Sequence, residues 1–208
     1  MYDQIIFGLT AVASFVTAVI LVWLFAKTRE IPKLLWSLSF LVLGLSTALI
    51  SIDGLSVLSQ PLVAPVDSLI PGFLGAGLLM YFRKNWGFLF LIYVIPVFCV
   101  LFALSFVFGS LAAPYVMLVH FPGGLIIFIL PIYMAVTKKL SITSLLVGVG
   151  GLLIGIGGLA LASISMNVPI LPASLVLEIL APLFLSMTLL FAVGLLATPG
   201  WGLKSKWN

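Results

Sequence analysis

The chain has 208 residues, of which 63% are hydrophobic and 7% are charged, and its mean hydropathy is +1.40. Roughly a quarter of the residues of a soluble globular domain are charged, so the composition excludes such a domain and predicts a protein embedded in lipid. The net charge of +4 would suggest nucleic acid as the partner of a soluble protein. In a membrane protein it indicates basic loops that set the orientation, and no nucleic acid is expected.

Seven apolar stretches predict seven transmembrane helices in a single domain over residues 1–208. A helix needs about 20 apolar residues to cross a bilayer, and these stretches lack the alternation of barrel strands. The predicted spans cover residues 5–27, 34–52, 62–82, 87–108, 111–136, 141–164 and 171–196. The fold class is therefore an all-α membrane protein.

The basic residues lie in four clusters, which follow every second span and the last one: Lys27/Arg29/Lys33, Arg83/Lys84, Lys138/Lys139 and Lys204/Lys206. Loops rich in Lys and Arg stay in the cytoplasm, so we expect a multi-pass protein of the cell membrane with its N-terminus outside and its C-terminus inside. No basic residue precedes the first span, which is therefore expected to be retained and not cleaved as a signal peptide.

An internal repeat is indicated by prolines and acids that recur with equal spacing in the third and seventh spans: Pro61, Asp67 and Pro71 against Pro172, Glu178 and Pro182. A shorter match follows the first and fifth spans, where Ala26-x-Thr28-Arg29 corresponds to Ala135-x-Thr137-Lys138. Spans one to three and five to seven are therefore predicted to be parallel repeats joined by the fourth span, in a 3-1-3 arrangement.

The fifth span is interrupted by Pro122, Gly123 and Gly124, which follow His120 closely. Proline lacks an N–H and obstructs the carbonyl four residues earlier, so a kink or an unwound turn is expected. Broken membrane helices often line substrate or ion sites, although proline kinks also occur without such a role. The sixth span is rich in glycine, and its Gly151-xxx-Gly155 pair predicts close helix packing, a dimer interface or a sliding surface.

Three Asp, Glu or His residues lie within the predicted spans: Asp67, His120 and Glu178. A charge at the centre of a membrane helix costs about 2.5–3.5 kcal/mol, so each is expected to face the bundle interior or a water-filled cavity, where one outer vestibule could hold all three. Glu178 is the main candidate to carry a proton or to bind a cation or an amine. The alternatives are a structural hydrogen bond for Glu178, a ring satisfied by the backbone freed at Pro122 for His120, and a helix cap for Asp67.

The overall plan is similar to that of microbial rhodopsins, which also have seven spans and acids on the third and the seventh. Residues 176–181 resemble the turn before the retinal lysine of that family, but Pro182 stands at the lysine position and no span has a lysine in its interior. A Schiff-base photoreceptor is therefore excluded, and a lysine-less opsin-like sensor is one alternative function.

The function expected from the sequence is translocation of a small solute or an ion, a proton or a cation, through a site in the outer half of the bundle. The main alternative is a non-catalytic structural subunit of a larger membrane complex. No catalytic or phosphate-binding motif is present, and Cys99 is a single cysteine that is expected to be buried, so no enzyme activity, cofactor or metal is predicted. The expected partners are the lipid bilayer and either other membrane subunits or further copies of this chain.

Overall fold

The structure is a computed structural model that describes residues 2–109, 115–165, 168–199 and 201. Within these residues, eight α-helices follow one another: α1 (Tyr2–Thr28), α2 (Ile31–Asp53), α3 (Val63–Asp67), α4 (Leu69–Phe82), α5 (Lys84–Phe108), α6 (Met117–Val136), α7 (Leu145–Ser165) and α8 (Ala173–Ala197). Short 3-10 helices lie at Gly54–Ser59 and Ile142–Ser144, and the described residues include no strand. Seven helical segments, one of them α3 with α4, are long and apolar enough to cross a membrane, which confirms the all-helical, seven-span interpretation at that level.

The third predicted span is divided into α3 and α4 at Ser68. Pro71 has no N–H to donate to the carbonyl of Asp67, so the regular helical bond between these residues cannot form. The buried hydroxyl of Ser68 instead donates a hydrogen bond of 2.6 Å to the carbonyl of Pro65. The start of the fifth predicted span, residues 111–114, lies outside the described residues, and α6 begins at Met117.

Six of the helices form a closed ring in which each contacts the next, in the order α1, α2, α4, α6, α7, α8 and back to α1. The interior of the ring contains large apolar side chains, among them Trp36, Leu74, Ile127 and Phe191. Trp36 stacks on Tyr81 with 5.2 Å between the ring centroids. The ring is therefore filled by side chains at the level of this cluster.

Helix α5 lies outside the ring and packs mainly against α4. Only 17% of its most apolar 18-residue stretch is buried, against 61% of the corresponding stretch in the span that contains α4. Its buried residues, Gly87, Val94, Leu101 and Ser105, form one narrow stripe. Cys99 lies off this stripe and is exposed, so the prediction that it is buried is wrong.

Three short connections meet at one end of the bundle, which we call the basic end. Arg29 from the α1–α2 connection, Arg83 from the α4–α5 connection and Lys139 after α6 line the same pocket there. The other end, which carries the start of α6 and of α8, is called the opposite end. This arrangement brings together basic residues that are far apart in the sequence.

Candidate functional site

Helices α6 and α7 are in contact near the basic end and separate toward the opposite end. A Cβ atom added to Gly148 would lie 2.7 Å from the side chain of Ile132, and one added to Gly151 would lie 2.9 Å from the backbone nitrogen of Phe128. A Cβ added to Gly155 or Gly158 would have no atom within 4 Å. The glycines of α7 therefore permit close packing at one end and leave open space at the other.

The open space is a groove between α6 and α7, with Pro71 of α4 also in its lining, and we call it the α6/α7 groove. Its volume is about 190 Å³. The lining residues are apolar apart from one histidine: Pro71, Met117, His120, Phe121, Gly124, Leu125, Phe128, Gly151, Leu152, Ile154, Gly155, Ile156, Gly158 and Leu159. An engineered apolar cavity of about 150 Å³ binds benzene, so this groove has room for one ring or a short alkyl chain.

His120 is the polar member of the groove lining and is half-buried. Its Nδ1 atom is buried and makes no hydrogen bond of good geometry in the part of the chain that the structure describes. Because an imidazole can donate one hydrogen bond and accept another, His120 can hold a ligand with a single polar group.

The helix break expected at Pro122, Gly123 and Gly124 is not an unwound turn, because α6 is continuous from Met117 to Val136. Pro122 has no N–H for the carbonyl of Leu118, four residues earlier. That carbonyl accepts a hydrogen bond of 2.6 Å from the hydroxyl of Tyr93 on α5. The backbone group freed by the proline is therefore satisfied by Tyr93 and not by His120.

The two glycines after Pro122 face different surroundings. A Cβ added to Gly123 would lie 2.8 Å from the carbonyl oxygen of Pro71, so Gly123 allows α6 to approach α4 closely. A Cβ added to Gly124 would have no atom within 4 Å, because Gly124 faces the α6/α7 groove. Gly124 and Gly155 thus leave space on the two sides of the same groove.

Asp67 is the last residue of α3, and the hydroxyl of Ser46 on α2 donates a hydrogen bond to its Oδ1 atom. Ser68 is the N-cap of α4 and makes no side-chain capping bond. The side chain of Asp67 therefore links α3 to α2, in place of the predicted helix cap. A carboxyl group that accepts a hydrogen bond from a hydroxyl of the next helix forms a structural contact between the two helices.

Glu178 lies on the exposed surface of α8, not in the interior of the bundle as the sequence analysis expected. Val176, Leu180 and Ala181 are buried and define the inner face of this part of the helix. Because successive residues are 100° apart around a helix, Glu178 points away from that face. The leucine and isoleucine beside Glu178 in the sequence do not predict its exposure, since lipid and the protein interior both accept these residues.

The α6/α7 groove includes His120 and neither Asp67 nor Glu178. The structure therefore places the three predicted residues on separate surfaces: His120 in the groove, Asp67 against Ser46 and Glu178 on the outside of α8. Among the described residues, no group of three His, Cys, Asp or Glu side chains is close enough to hold a metal ion. Whether Asp67 and Glu178 bind a proton or a ligand stays a prediction.

Sequence reasoning missed Tyr93 and Ser46, the two hydroxyl donors that bind polar groups of this region. A mid-helix proline does signal that the carbonyl four residues earlier needs a donor. Nothing in the local sequence says which helix supplies that donor, because the partner depends on how the helices pack. The same holds for the acceptor role of Asp67.

Comparison of the chain with protein-family models, with curated proteins and with solved structures found no match. The class of protein consequently follows from the fold alone. Seven helical segments that are long and apolar enough to cross a bilayer, arranged as a ring with one helix outside, are consistent with a multi-pass membrane protein.

Proposed function

We propose that this protein translocates a small, largely apolar solute through the α6/α7 groove, with His120 as the contact for the polar group of the solute and with the basic end in the cytoplasm. This proposal is carried by a comparison of two pairs of helices, α1 with α2 and α6 with α7. The equivalent place between α1 and α2 is filled by a phenylalanine, whereas the place between α6 and α7 is open.

The sequences of α2 and α7 add support for a repeat beyond the matching prolines and acids of the third and seventh spans. Small residues recur with the spacing that separates Asp67 from Glu178: Ser37, Ser39, Gly44 and Ser46 correspond to Gly148, Gly150, Gly155 and Gly157. Exposed positions also correspond, since Leu41 and Leu45 match Leu152 and Ile156. The two helices thus present the same faces to their neighbours.

Helices α1 and α6 also correspond, with equivalent residues 109 positions apart, against 111 for α2 and α7. Arg29 and Lys138, the basic residues of the short sequence match, both have left-handed backbones, with φ of 58° and 56°. Non-glycine residues adopt this conformation uncommonly, so its occurrence at equivalent places supports the repeat. Along the helices Leu9 and Leu118 are both exposed, whereas Thr10 and Val119 are both fully buried.

The contacts around the ring fit a two-fold relation between α1–α4 and α6–α8. Helix α1, the first of one half, contacts α8, the last of the other, and α6 contacts α4 in the reciprocal way. Parallel repeats about an axis along the membrane normal have this arrangement and occur in transporters. The position of α5 outside the ring suits a connecting helix.

The two halves differ where the groove lies. In the first half, a Cβ added to Gly44 would lie 2.8 Å from the ring of Phe15, so Phe15 fills the space beside Gly44. In the proposed repeat, Gly124 is equivalent to Phe15 and Gly155 is equivalent to Gly44. A Cβ added to Gly124 or to Gly155 would have no atom within 4 Å. Replacement of a phenylalanine by a glycine at this position explains why the groove is open.

The chemistry of the groove limits the solute that it can hold. Its apolar lining and its volume of about 190 Å³ suit one ring or a short alkyl chain, whereas a bare ion would lose its hydration without a replacement. His120 provides one contact for a polar group. Helices α6 and α7 are separated where Gly155 and Gly158 leave open space, and this gives the two helices room to move against each other.

The test measures uptake of two ring-sized, permanently charged probes, benzenesulfonate and benzyltrimethylammonium, into vesicles that contain the purified protein. Permanent charge keeps leakage through the lipid slow. We expect uptake of at least one probe above protein-free vesicles. Gly124→Phe should abolish that uptake by filling the groove, and His120→Ala should reduce it at least tenfold.

The matched control is Ile129→Phe, which adds an aromatic ring to an exposed position of α6 outside the groove. It should leave uptake within twofold of the wild type. Uptake of neither probe, or equal uptake by the wild type and Gly124→Phe, would contradict the proposal. Uptake is also measured for Glu178→Gln, because a loss of uptake in this variant would mean that Glu178 takes part in translocation.

A second candidate function, a non-catalytic subunit of a membrane complex, is favoured by α5. Its exposed positions include large apolar side chains on several sides, among them Leu89, Ile92, Val100 and Phe106. A partner helix could cover this surface as well as lipid does. Purification in mild detergent tests this function: other subunits that co-migrate with the chain would support it, and a monodisperse single chain would contradict it.

A further inference from the structure

The basic end contains a second pocket, distinct from the α6/α7 groove, with a volume of about 800 Å³. It lies where the α1–α2 connection, the α4–α5 connection and the segment after α6 meet. Residues 29–32 form one wall, residues 80–86 form another, and Met134 and Lys139 complete the lining. We call it the basic pocket.

Four basic side chains line the basic pocket: Arg29, Arg83, Lys84 and Lys139. Among the described residues that line it, Glu30 is the one acid. The carboxylate of Glu30 already forms an ion pair of 3.1 Å with Lys33, and it accepts a hydrogen bond of 2.6 Å from the hydroxyl of Tyr81. Because Glu30 is neutralised by Lys33, the four basic residues give the pocket a strong net positive charge.

Aromatic rings hold two of these cations beside the pocket. The guanidinium of Arg83 lies 5.6 Å from the ring of Trp86. The ammonium of Lys139 lies 5.0 Å from the ring of Tyr133 and donates to its hydroxyl oxygen at 3.3 Å. Neither contact neutralises the cation, since an aromatic ring carries no net charge. These contacts place Arg83 and Lys139 in the lining of the pocket, within reach of an anion that enters it.

We propose that the basic pocket binds a phosphate-bearing anion. An arginine guanidinium presents paired N–H groups that match two phosphate oxygens, and lysines add point charges around them. Basic pockets between transmembrane helices on the cytoplasmic side are sites for anionic lipid headgroups. The phosphate could belong to such a headgroup or to a soluble compound, and the chemistry of the contact is the same.

The apolar part of the lining favours a lipid as the source of the phosphate. Ile31, Phe82 and Trp86 line the basic pocket beside the charged residues, and Ile31 and Trp86 are exposed. These side chains offer a surface for the first methylene groups of an acyl chain, while Arg29, Arg83 and Lys139 surround the headgroup. A soluble phosphate compound would use the cations and leave the apolar surface uncovered.

The experiment measures the thermal unfolding of the full chain in neutral detergent while a ligand is titrated. The probes are dioleoylphosphatidylglycerol, dioleoylphosphatidylcholine with the same acyl chains, and inorganic phosphate against chloride at equal ionic strength. We expect phosphatidylglycerol to stabilise the protein and phosphatidylcholine to have little effect. The double variant Arg83→Gln/Lys139→Gln should weaken the binding of phosphatidylglycerol roughly thirtyfold.

The matched control is the double variant Lys27→Gln/Lys138→Gln, which removes the same charge near the basic end from residues that do not line the pocket. It should change the affinity less than threefold. Glu30→Gln gives a change of the opposite sign, because loss of the one acid should tighten anion binding. A variant that binds more tightly cannot be explained by misfolding.

The outcomes separate the two sources of the phosphate. Binding of phosphatidylglycerol without binding of inorganic phosphate identifies a lipid headgroup, and binding of inorganic phosphate alone identifies a soluble phosphate compound. Absence of both, or an equal loss of binding in the two double variants, would overturn the proposal. Equal losses would mean that the basic end attracts anions only through its overall charge.

Discussion

Pro122 creates the need for a hydrogen-bond donor inside the membrane-spanning part of α6, and Tyr93 supplies that donor. The proline leaves the carbonyl of Leu118 without a helical partner, and lipid offers no donor to replace it. The bond of 2.6 Å from the hydroxyl of Tyr93 therefore does more than connect α5 to α6. It allows α6 to remain helical beside the α6/α7 groove.

Tyr93→Phe should lower the free energy of unfolding by about 1 kcal/mol, because it removes this hydroxyl and leaves the carbonyl of Leu118 without a donor. Thermal unfolding in detergent measures the change. Tyr115→Phe is the control, since it removes the same group from a ring that is 60% exposed just before α6. Equal unfolding temperatures for Tyr93→Phe and the wild type would show that the bond contributes nothing.

For individual residues, the sequence identified which ones are unusual but not what they contact. The scarcity of ionisable groups in the spans singled out Asp67, His120 and Glu178. Their surroundings depend on the rotation of each helix, which an all-apolar sequence does not define. Glu178 is consequently exposed, although leucine and isoleucine flank it, whereas His120 lines a groove beside Gly124 of the predicted helix break.

Among the elements, α7 shows how one type of residue serves two purposes. Gly148 and Gly151 bring the helix against α6, whereas Gly155 and Gly158 leave space. The Gly151-xxx-Gly155 pair predicts close helix packing, a dimer interface or a sliding surface, and its two members lie on either side of the point where α6 and α7 separate. Glycine spacing predicts that helices can approach closely, and it does not say how far along the helix they do so.

Gly158→Ala and Gly151→Ala should therefore change stability in opposite directions. Alanine at position 158 meets no atom within 4 Å and gains helix propensity, so the unfolding free energy should rise by up to about 1 kcal/mol. Alanine at position 151 would place its Cβ 2.9 Å from the backbone of Phe128 and should lower it by about 1–3 kcal/mol. Chemical denaturation of both variants measures the difference. Destabilisation of similar size in both would mean that α6 and α7 are packed along their whole length.

For the whole molecule, the sequence predicted the number of spans because lipid leaves few alternatives. A bilayer core cannot satisfy a bare backbone, so each long apolar segment must be helical, and the helices lie close to the predicted ranges. The closed ring of six helices with α5 outside could not be predicted, since the faces of these helices differ little in polarity. The predicted repeat depended on a few prolines and acids, which do not say which helices are neighbours.

The proposed orientation predicts which loops can be labelled from outside the cell. In a Cys99→Ser background, Gln60→Cys should react with a membrane-impermeant maleimide on intact cells. Asn85→Cys, at the basic end, should react only after the membrane is permeabilised, because basic loops stay in the cytoplasm. Labelling of Asn85→Cys in intact cells would reverse the orientation.

The groove between α6 and α7 is the feature on which the account depends, and the unfolding temperature of Gly124→Phe tests it most directly. If Gly124 faces open space, the new ring should enter the groove and raise the unfolding temperature by about 2–4 °C. Gly123→Phe should lower it instead, because a Cβ at position 123 already meets the carbonyl of Pro71 at 2.8 Å. A lower unfolding temperature for Gly124→Phe, similar to that of Gly123→Phe, would show that the groove is closed and would contradict the account.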